Sequence, residues 1–209
     1  MLSKLQAVNL ILRRLGKPVV DATDAGGGST HAYVERTLDD AVEMIQQEGW
    51  HWNTKYNVET TAADDGYINV SQLEVASLDS AGDPATYYDI YHVDVEPSAA
   101  IDTVRKGEHL WNLTDQEFVT STVKLRYTHA VSFDETPISF QKWAIALATF
   151  NFNRYYWNKP NLDGALQIEL AETRRQATRE EIRTLDVNIL DTREMRQIRG
   201  RPRTMDRSV

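Results

Sequence analysis

Apolar residues recur at the 3.6-residue period of an α-helix near the start of the chain. The predicted buried face of the first helix consists of Leu5, Val8, Leu12 and Leu15. Gly16 and Pro18 are expected to end this helix, and a second one begins after a loop with Ser29 or Thr30 as its N-cap. The predicted buried face of the second helix consists of Val34, Leu38, Ala41, Val42 and Ile45. Gly49 is expected to close it.

From about residue 56 to residue 131 the period of the pattern changes to two, which is typical of β-strands. The clearest alternating apolar positions are Tyr91, Val93 and Val95, then Val123, Leu125, Tyr127 and His129. Turn-forming residues separate the segments at 64–66, 81–84, 96–97 and 106–107. We therefore expect an antiparallel sheet of five to seven short strands, half exposed on one face.

Helical spacing returns after residue 131. Thr136 is the expected N-cap of a third helix, with Pro137 at its first position, and the helix runs to about Trp157. Residues 158–160 break it, and a more polar fourth helix covers about 162–185. The predicted buried face of this fourth helix consists of Leu162, Leu166, Leu170, Thr173 and Ala177.

This order of elements predicts an α+β fold in three parts. Residues 1–55 and 132–190 would form a four-helix bundle with two N-terminal and two C-terminal helices. An antiparallel β domain at 56–131 would be inserted between its halves, and a flexible basic C-terminal tail would follow at 191–209.

The third helix is apolar on both faces. One face carries Phe140, Trp143, Leu147 and Phe150, and the opposite face carries Ile145, Phe152 and Tyr156. Such a helix is either central in its own fold or shared with a neighbouring subunit, and an aromatic ligand cleft is a third interpretation. For the second interpretation, the candidate subunit-interface residues are Phe140, Trp143, Ile145, Phe152 and Tyr156.

Charge is distributed unevenly along the 209 residues. The net charge is −8, but residues 191–209 alone carry +3, which leaves −11 for the rest. An acidic body disfavours nucleic-acid binding, whereas a basic tail usually has a partner of its own. The tail arginines considered for docking are Arg193, Arg196, Arg199, Arg201 and Arg203. A carboxylate-lined protein groove is favoured over DNA as their partner.

Composition and motifs exclude several kinds of chemistry. The chain contains no cysteine, so disulfides, thiol nucleophiles and cysteine-ligated zinc are excluded. No 18-residue apolar run and no signal-peptide pattern is present, so we expect folding in the cytoplasm and no membrane partner. The five histidines are scattered without metal-ligand spacing, and no catalytic motif is found. Neither a metal, a cofactor nor an enzymatic activity is predicted.

Two further motifs have both a structural and a functional interpretation. Trp50 and Trp52 could stack on a sugar or a base, but their position after a helix end favours anchors between the bundle and the β domain. The glycine run at 26–28 precedes a helix and could cradle a phosphate. It lacks the lysine and spacing of a P-loop, so a flexible connection is favoured.

Seven segments, taken together and in order, resemble the tail tubular protein A family of short-tailed phages. They are Ala7-Val8-Asn9-Leu10-Ile11-Leu12, Leu15-Gly16-Lys17-Pro18-Val19, Gln47-Glu48-Gly49-Trp50-His51-Trp52-Asn53-Thr54, Arg105-Lys106-Gly107-Glu108-His109-Leu110-Trp111-Asn112, Phe133-Asp134-Glu135-Thr136-Pro137, Phe150-Asn151-Phe152-Asn153-Arg154 and Leu166-Gln167-Ile168-Glu169. The chain departs from the family pattern at Trp111-Asn112, where Tyr-Asp is usual, and at Thr136, where Leu is usual. The resemblance covers roughly residues 5–180.

The resemblance implies a structural virion protein, a head-to-tail adaptor at the head–tail junction. Such an adaptor is a ring of about twelve copies beneath the portal protein, with the tail nozzle protein below it. Genomic DNA passes through the lumen of the ring without specific binding. In related adaptors a C-terminal extension docks on the portal, a role that would suit the arginine-rich tail.

Two other function classes stay open at this point. A carbohydrate-acting or carbohydrate-binding tail protein would use Trp50, Trp52 and the acidic pairs Asp39/Asp40, Asp64/Asp65 and Asp134/Glu135. A nucleic-acid binder would use the basic tail, and its affinity would depend steeply on salt.

Overall fold

The computed structural model describes residues 1–21, 29–62, 66–70, 90–95 and 103–184, and these residues have an α+β fold. They include four α-helices: α1 (Lys4–Arg14), α2 (Thr30–Gln47), α3 (Ile138–Phe152) and α4 (Pro160–Thr184). They also include six strands: β1 (Thr54–Thr60), β2 (Ile90–Val95), β3 (Thr103–Lys106), β4 (His109–Asn112), β5 (Glu117–Phe118) and β6 (Val123–His129).

The helix boundaries follow local backbone chemistry. At the start of α1, the Ser3 hydroxyl accepts from the Gln6 N–H and the Gln6 side chain accepts from the Ser3 N–H, a capping box. Ser29 is the N-cap of α2, as the sequence predicts. The prediction of Thr136 as the N-cap of α3 is wrong by one residue, since Pro137 holds that place. The Thr136 hydroxyl instead donates to the Ser132 carbonyl within a preceding 3₁₀ turn.

The strands form two three-stranded antiparallel sheets in place of the single sheet predicted from the sequence. β6 lies between β1 and β2, and β4 lies between β3 and β5. Alternation determines which side chains of a strand share a face, but it does not determine the strand's partners. On β6, Val123, Leu125 and Tyr127 are buried while Lys124 and Arg126 are exposed, which confirms the predicted half-exposed face.

The apolar side chains make two separate clusters. The larger one joins α1, α2, α3 and Ala177 of α4. The smaller one draws on both sheets and includes Ile68, Val93, Leu110 and Leu125. The helices and the strands therefore each bury a core of their own, which is the arrangement that the change of sequence period indicates.

Contacts at the helix ends give the relative directions of the helices. The ring of Trp50, after α2, lies 4.9 Å from that of Phe140 near the start of α3. At the other end, the Tyr33 ring lies 5.2 Å from that of Tyr156, just after α3. These two contacts show that α2 and α3 run antiparallel.

The fourth helix runs in the same direction as α2. Near the C-terminal end of α4, the Glu181 carboxylate accepts from the His51 N–H just after α2, and Arg174 in the middle of α4 forms an ion pair with Glu48 at 3.6 Å. At the opposite end, a groove lined by Arg14, Leu15, Pro160 and Leu162 places the end of α1 beside the start of α4. Arg14 also pairs with Glu169, farther along α4, at 2.6 Å. A groove lined by Leu12, Thr30 and His31 places the end of α1 beside the start of α2 as well. The starts of α2 and α4 therefore flank the same end of α1.

Buried amide side chains join the helical core to the strands. Gln46 is 1% exposed; its Nε2 donates to the Val131 carbonyl at 2.6 Å and its Oε1 accepts from the Val131 N–H at 2.9 Å. Asn53 donates to the carbonyls of Gln46 and His129. Backbone groups that are buried outside regular structure need such partners, so these two amides hold the chain entering β1 against the chain leaving β6.

Gly49 turns the chain at this junction. Its φ is +75°, a left-handed conformation, and a Cβ added there would lie 3.2 Å from Thr128 Oγ1 on β6. Gly164 in α4 has neither constraint, since an added Cβ would meet no atom within 4 Å. A side chain at Gly49 would therefore strain the backbone and crowd Thr128, whereas a side chain at Gly164 would do neither.

His129 is buried at the end of β6. Burial lowers the pKa of its imidazole below the ordinary value of 6.5, and the nearby positive charge of Lys55 lowers the pKa further. A hydrogen bond with the backbone of Asn53 acts in the opposite direction without reversing the shift. The folded protein therefore holds His129 neutral at a pH where the unfolded chain already binds a proton.

We expect Gly49→Ala to lower the free energy of unfolding by about 1–2 kcal/mol, because a Cβ is strained at this φ and crowds Thr128. Gly164→Ala is the matched control and should raise it by about 0.5–1 kcal/mol through helix propensity. Urea denaturation of both variants measures these changes. A stabilised Gly49→Ala variant would contradict the left-handed turn.

We expect the stability of the folded chain to fall as the pH is lowered through about 6.5, since the unfolded state then takes up a proton that the folded state excludes at His129. His129→Gln should flatten this part of the curve. Chemical denaturation from about pH 7.5 to about pH 5.5, above the range where carboxylates titrate, makes the comparison. Identical slopes for the two proteins over this range would refute the assignment.

Candidate assembly surface

The third helix lies inside the chain's own core. Phe140, Trp143, Ile145 and Phe152 are each 1–3% exposed and belong to the cluster that α1, α2 and α4 cover. A side chain buried to this extent has no surface to offer another subunit, so these four are corrected from interface candidates to core residues. The first of the three sequence interpretations, a central helix, accounts for them. Tyr156, the fifth candidate, is 55% exposed.

Tyr156 belongs to an exposed aromatic surface at one end of the helices, together with Tyr33 and Tyr155. Tyr155 is 72% exposed, and the Tyr156 ring stacks on Phe152 at 5.1 Å between centroids. Aromatic side chains are enriched at protein interfaces because they bury a large area at a small entropic cost. This tyrosine surface is what remains of the predicted interface at α3.

A π-helical turn at Asn153–Trp157 presents these tyrosines. The Asn153 side chain donates to Asp163 at 2.6 Å and to the Lys159 carbonyl at 3.1 Å, which braces the break between α3 and α4. Asn158 then reverses the chain with φ +48°. π-Helical turns inside α-helices are frequent at functional sites, and this one turns two consecutive tyrosines outward.

Two lysines lie over the ring of Trp157 at the same end. The Nζ atoms of Lys17 and Lys159 are 3.7 Å and 4.7 Å from the ring centroid. Such cation–π contacts stabilise by about 0.5–1 kcal/mol at exposed sites. They connect the segment after α1 to the break between α3 and α4. The part of the fold that carries Tyr155 and Tyr156 is therefore stabilised by these contacts.

Trp50 and Trp52 lie where the chain passes from α2 to β1. Trp50 Nε1 donates to the Ile45 carbonyl at 2.6 Å, and its ring makes an edge contact with Trp143 at 5.8 Å. The Trp52 ring lies 5.3 Å from that of Phe140. Both rings are half-buried against the helical core, which leaves the carbohydrate interpretation without its stacking surface.

The acidic pairs also have local partners. Asp39 pairs with the ammonium of Lys4 at 2.9 Å, Asp134 accepts from the Lys4 N–H at 2.7 Å, and Glu135 accepts from the Ser132 hydroxyl. Among the described residues, no three histidine, aspartate or glutamate side chains are grouped so as to hold a metal ion. No helix of the described ranges has the length and apolar character that crossing a membrane requires.

The outward faces of α2 and α4 carry exposed apolar residues that the sequence analysis did not single out. On α4, Ile168 is 63% exposed and Ile182 is 55% exposed; on α2, Met44 is 55% exposed. In the sequence these residues stand among charged ones, and only their position opposite the buried face of the helix distinguishes them. Once the buried face of a helix is known, the 100° turn per residue gives the residues that lie on its opposite side.

Several predicted elements lie outside the described residues. They are the glycine run at 26–28, the acidic pair Asp64/Asp65, the turns at 81–84 and 96–97, and the tail with Arg193, Arg196, Arg199, Arg201 and Arg203. Their assignments stay predictions from the sequence.

The comparison with protein families agrees with the ordered set of segments in the sequence. The family model described as tail tubular protein matches residues 5–187, which covers all four helices and both sheets. No curated protein matches the chain. The chain therefore belongs to the phage tail tubular protein family, whose members are structural components of the virion tail.

Proposed function

We propose that this protein is the head-to-tail adaptor of a short-tailed phage, a ring of about twelve copies that joins the portal protein to the tail nozzle protein. The family match over residues 5–187 carries the proposal. The chain would act as a structural component, without a cofactor and without an enzymatic role, and would assemble in the host cytoplasm before it joins the virion.

The charge of the chain suits a channel for DNA. Each copy has a net charge of −8, and a closed ring multiplies this charge around its lumen. DNA phosphates are repelled by such a wall, so the genome can move through it without being held. Specific DNA binding is not part of this proposal.

The helical and β parts would serve different neighbours. The helices at 1–55 and 132–190, arranged as a four-helix bundle, would form the ring and contact the portal, and the β domain at 56–131 would contact the nozzle. Each part buries a core of its own, so each can keep its shape when a partner binds to the other. At α3 the proposed subunit contact is reduced to Tyr156, since the other four candidates are buried.

The arginine-rich tail would dock on the portal. Guanidinium groups form bidentate hydrogen bonds with carboxylates, and a tail of residues 191–209 with net charge +3 is complementary to an acidic groove. The five arginines proposed for this contact are Arg193, Arg196, Arg199, Arg201 and Arg203.

We expect the purified chain, mixed with the portal protein encoded in the same genome, to form rings of about twelve copies on the portal. Mass photometry gives the copy number and negative-stain microscopy gives the shape. A ring formed without the portal would support the same conclusion. If both samples contain monomers alone, the adaptor proposal is wrong, and carbohydrate binding becomes the next property to measure.

We expect deletion of residues 191–209 to abolish portal binding while the far-ultraviolet circular dichroism stays nearly unchanged, because every described element ends before residue 185. Surface plasmon resonance on immobilised portal measures the binding. A truncated chain that binds as tightly as the full chain would disprove the docking role.

A matched pair of tail variants separates charge from geometry. Replacing the five arginines by lysine keeps the charge but removes the bidentate contact, and replacing them by glutamine removes both. If the tail recognises carboxylates, the lysine variant should bind the portal with an affinity between those of the original chain and the glutamine variant. If the tail binds DNA instead, the chain should show a DNA affinity that falls steeply with salt and no affinity for the portal.

A further inference from the structure

The outward face of α4 is apolar and basic. Its residues lie opposite the buried side of the helix and are, in order, Ile168, Ala171, Glu172, Arg175, Thr178, Arg179 and Ile182. Within the described part of the chain, neither Arg175 nor Arg179 takes part in an ion pair. A shallow groove runs between them, lined by Ala171, Arg174, Arg175, Thr178 and Arg179.

The outward face of α2 is apolar and acidic. Its residues are Tyr33, Arg36, Asp40, Glu43, Met44 and Gln47. Met44 is 55% exposed and Tyr33 is 38% exposed, so this face offers apolar area to a partner. Glu43 accepts a hydrogen bond from Gln47 of the same helix at 3.0 Å, so its carboxylate is held on this face.

The two faces bring opposite charges close together when the helices run parallel. A shift of 135 in residue number places Tyr33 beside Ile168, Asp40 beside Arg175, and Gln47 beside Ile182. The same shift sets Arg36 level with Ala171, one residue from Glu172, and sets Glu43 level with Thr178, one residue from Arg179.

We propose that the α4 face of one copy docks on the α2 face of the next copy, and that this contact closes the ring. The inference deepens the proposed function and rests on it, since it names the lateral contact of the same assembly. Both faces span 14 residue steps from first to last, ~21 Å of helix, so they can meet along their whole length.

The direction of the helices suits a ring of many copies. Within one chain α2 and α4 run parallel, since His51 after α2 bonds Glu181 near the end of α4 and the end of α1 lies beside the starts of both helices. In a ring of about twelve copies each neighbour is rotated by ~30°, so the α4 of one copy stays nearly parallel to the α2 of the next. A two-fold contact through one of these faces alone would pair that face with itself, whereas the α4-to-α2 contact uses two different faces and can continue from copy to copy around a ring.

Charge reversal tests the contact. Arg175→Glu with Arg179→Glu should lower the ring fraction in mass photometry at least about tenfold, and so should Asp40→Arg with Glu43→Arg. All four changes in one chain should restore rings to within about twofold of the original, because both faces are then inverted and the net charge returns to −8. Circular dichroism and thermal melting confirm that each variant is folded.

The matched control is Arg13→Glu with Lys142→Glu. Both residues are exposed and lie on α1 and α3, outside the two faces, and their reversal changes the net charge by the same amount as the α4 variant. Rings should persist in this control. If the control loses rings as the α4 variant does, or if the fourfold variant is not rescued, the proposed contact is wrong and only general charge repulsion is at work.

Cross-linking gives a readout that does not require a stable ring. The chain has no cysteine, so Tyr33→Cys with Ile168→Cys introduces the only thiols. Oxidation by oxygen with copper phenanthroline should join chains into a ladder that extends beyond the dimer, while a mixture of the two single variants should stop at the dimer. Arg13→Cys with Lys142→Cys is the background control.

The outcomes separate this inference from the adaptor proposal. Rings that survive Arg175→Glu with Arg179→Glu overturn the contact and leave the adaptor function intact. A double-cysteine variant that stops at the dimer overturns it too, since the interface would then be two-fold. Absence of any ladder above background, together with absence of rings on the portal, overturns both.

Discussion

The fold depends on covering a helix that is apolar all round. Phe140, Trp143, Ile145 and Phe152 point to different sides of α3, and no single packing partner can bury all of them. Each large apolar side chain removed from water stabilises the fold by about 1.5–3 kcal/mol. The remaining helices and the segment carrying Trp50 are arranged around α3 for this reason, and their polar faces are left on the outside.

Backbone segments without regular structure that pack against this core need hydrogen-bond partners for their buried N–H and carbonyl groups. The N-terminal segment and the 3₁₀ turn before α3 both approach Gln141, which is fully buried; its side-chain amide bonds the Leu2 N–H and carbonyl and the Phe133 carbonyl. Gln46 performs the same task for Val131 on the strand side. Burying a backbone group unpaired costs about 1–3 kcal/mol, so these two glutamines are as necessary to the core as its apolar residues. They also make the junction between the two cores specific.

The sequence predicts local elements far better than their partners. The period of apolar residues located all four helices and the alternation located β2 and β6, because both patterns are local consequences of backbone geometry. The split into two sheets and the central position of β6 depend on pairing between distant segments, which alternation does not encode. The interface residues were misplaced for a related reason: two apolar faces on α3 look the same whether a neighbouring chain or the same chain covers them.

The outward faces of α2 and α4 constrain how copies of this chain can associate. The α4 face carries a net positive charge and the α2 face a net negative charge, so each is complementary to the other. An isologous contact pairs a face with itself, whereas two unlike faces on one chain can make a heterologous contact. Parallel directions of α2 and α4 are compatible with a small rotation between neighbours, which is the geometry of a ring with many members. The opposite net charges of the two faces therefore favour the heterologous contact that the proposed ring would use.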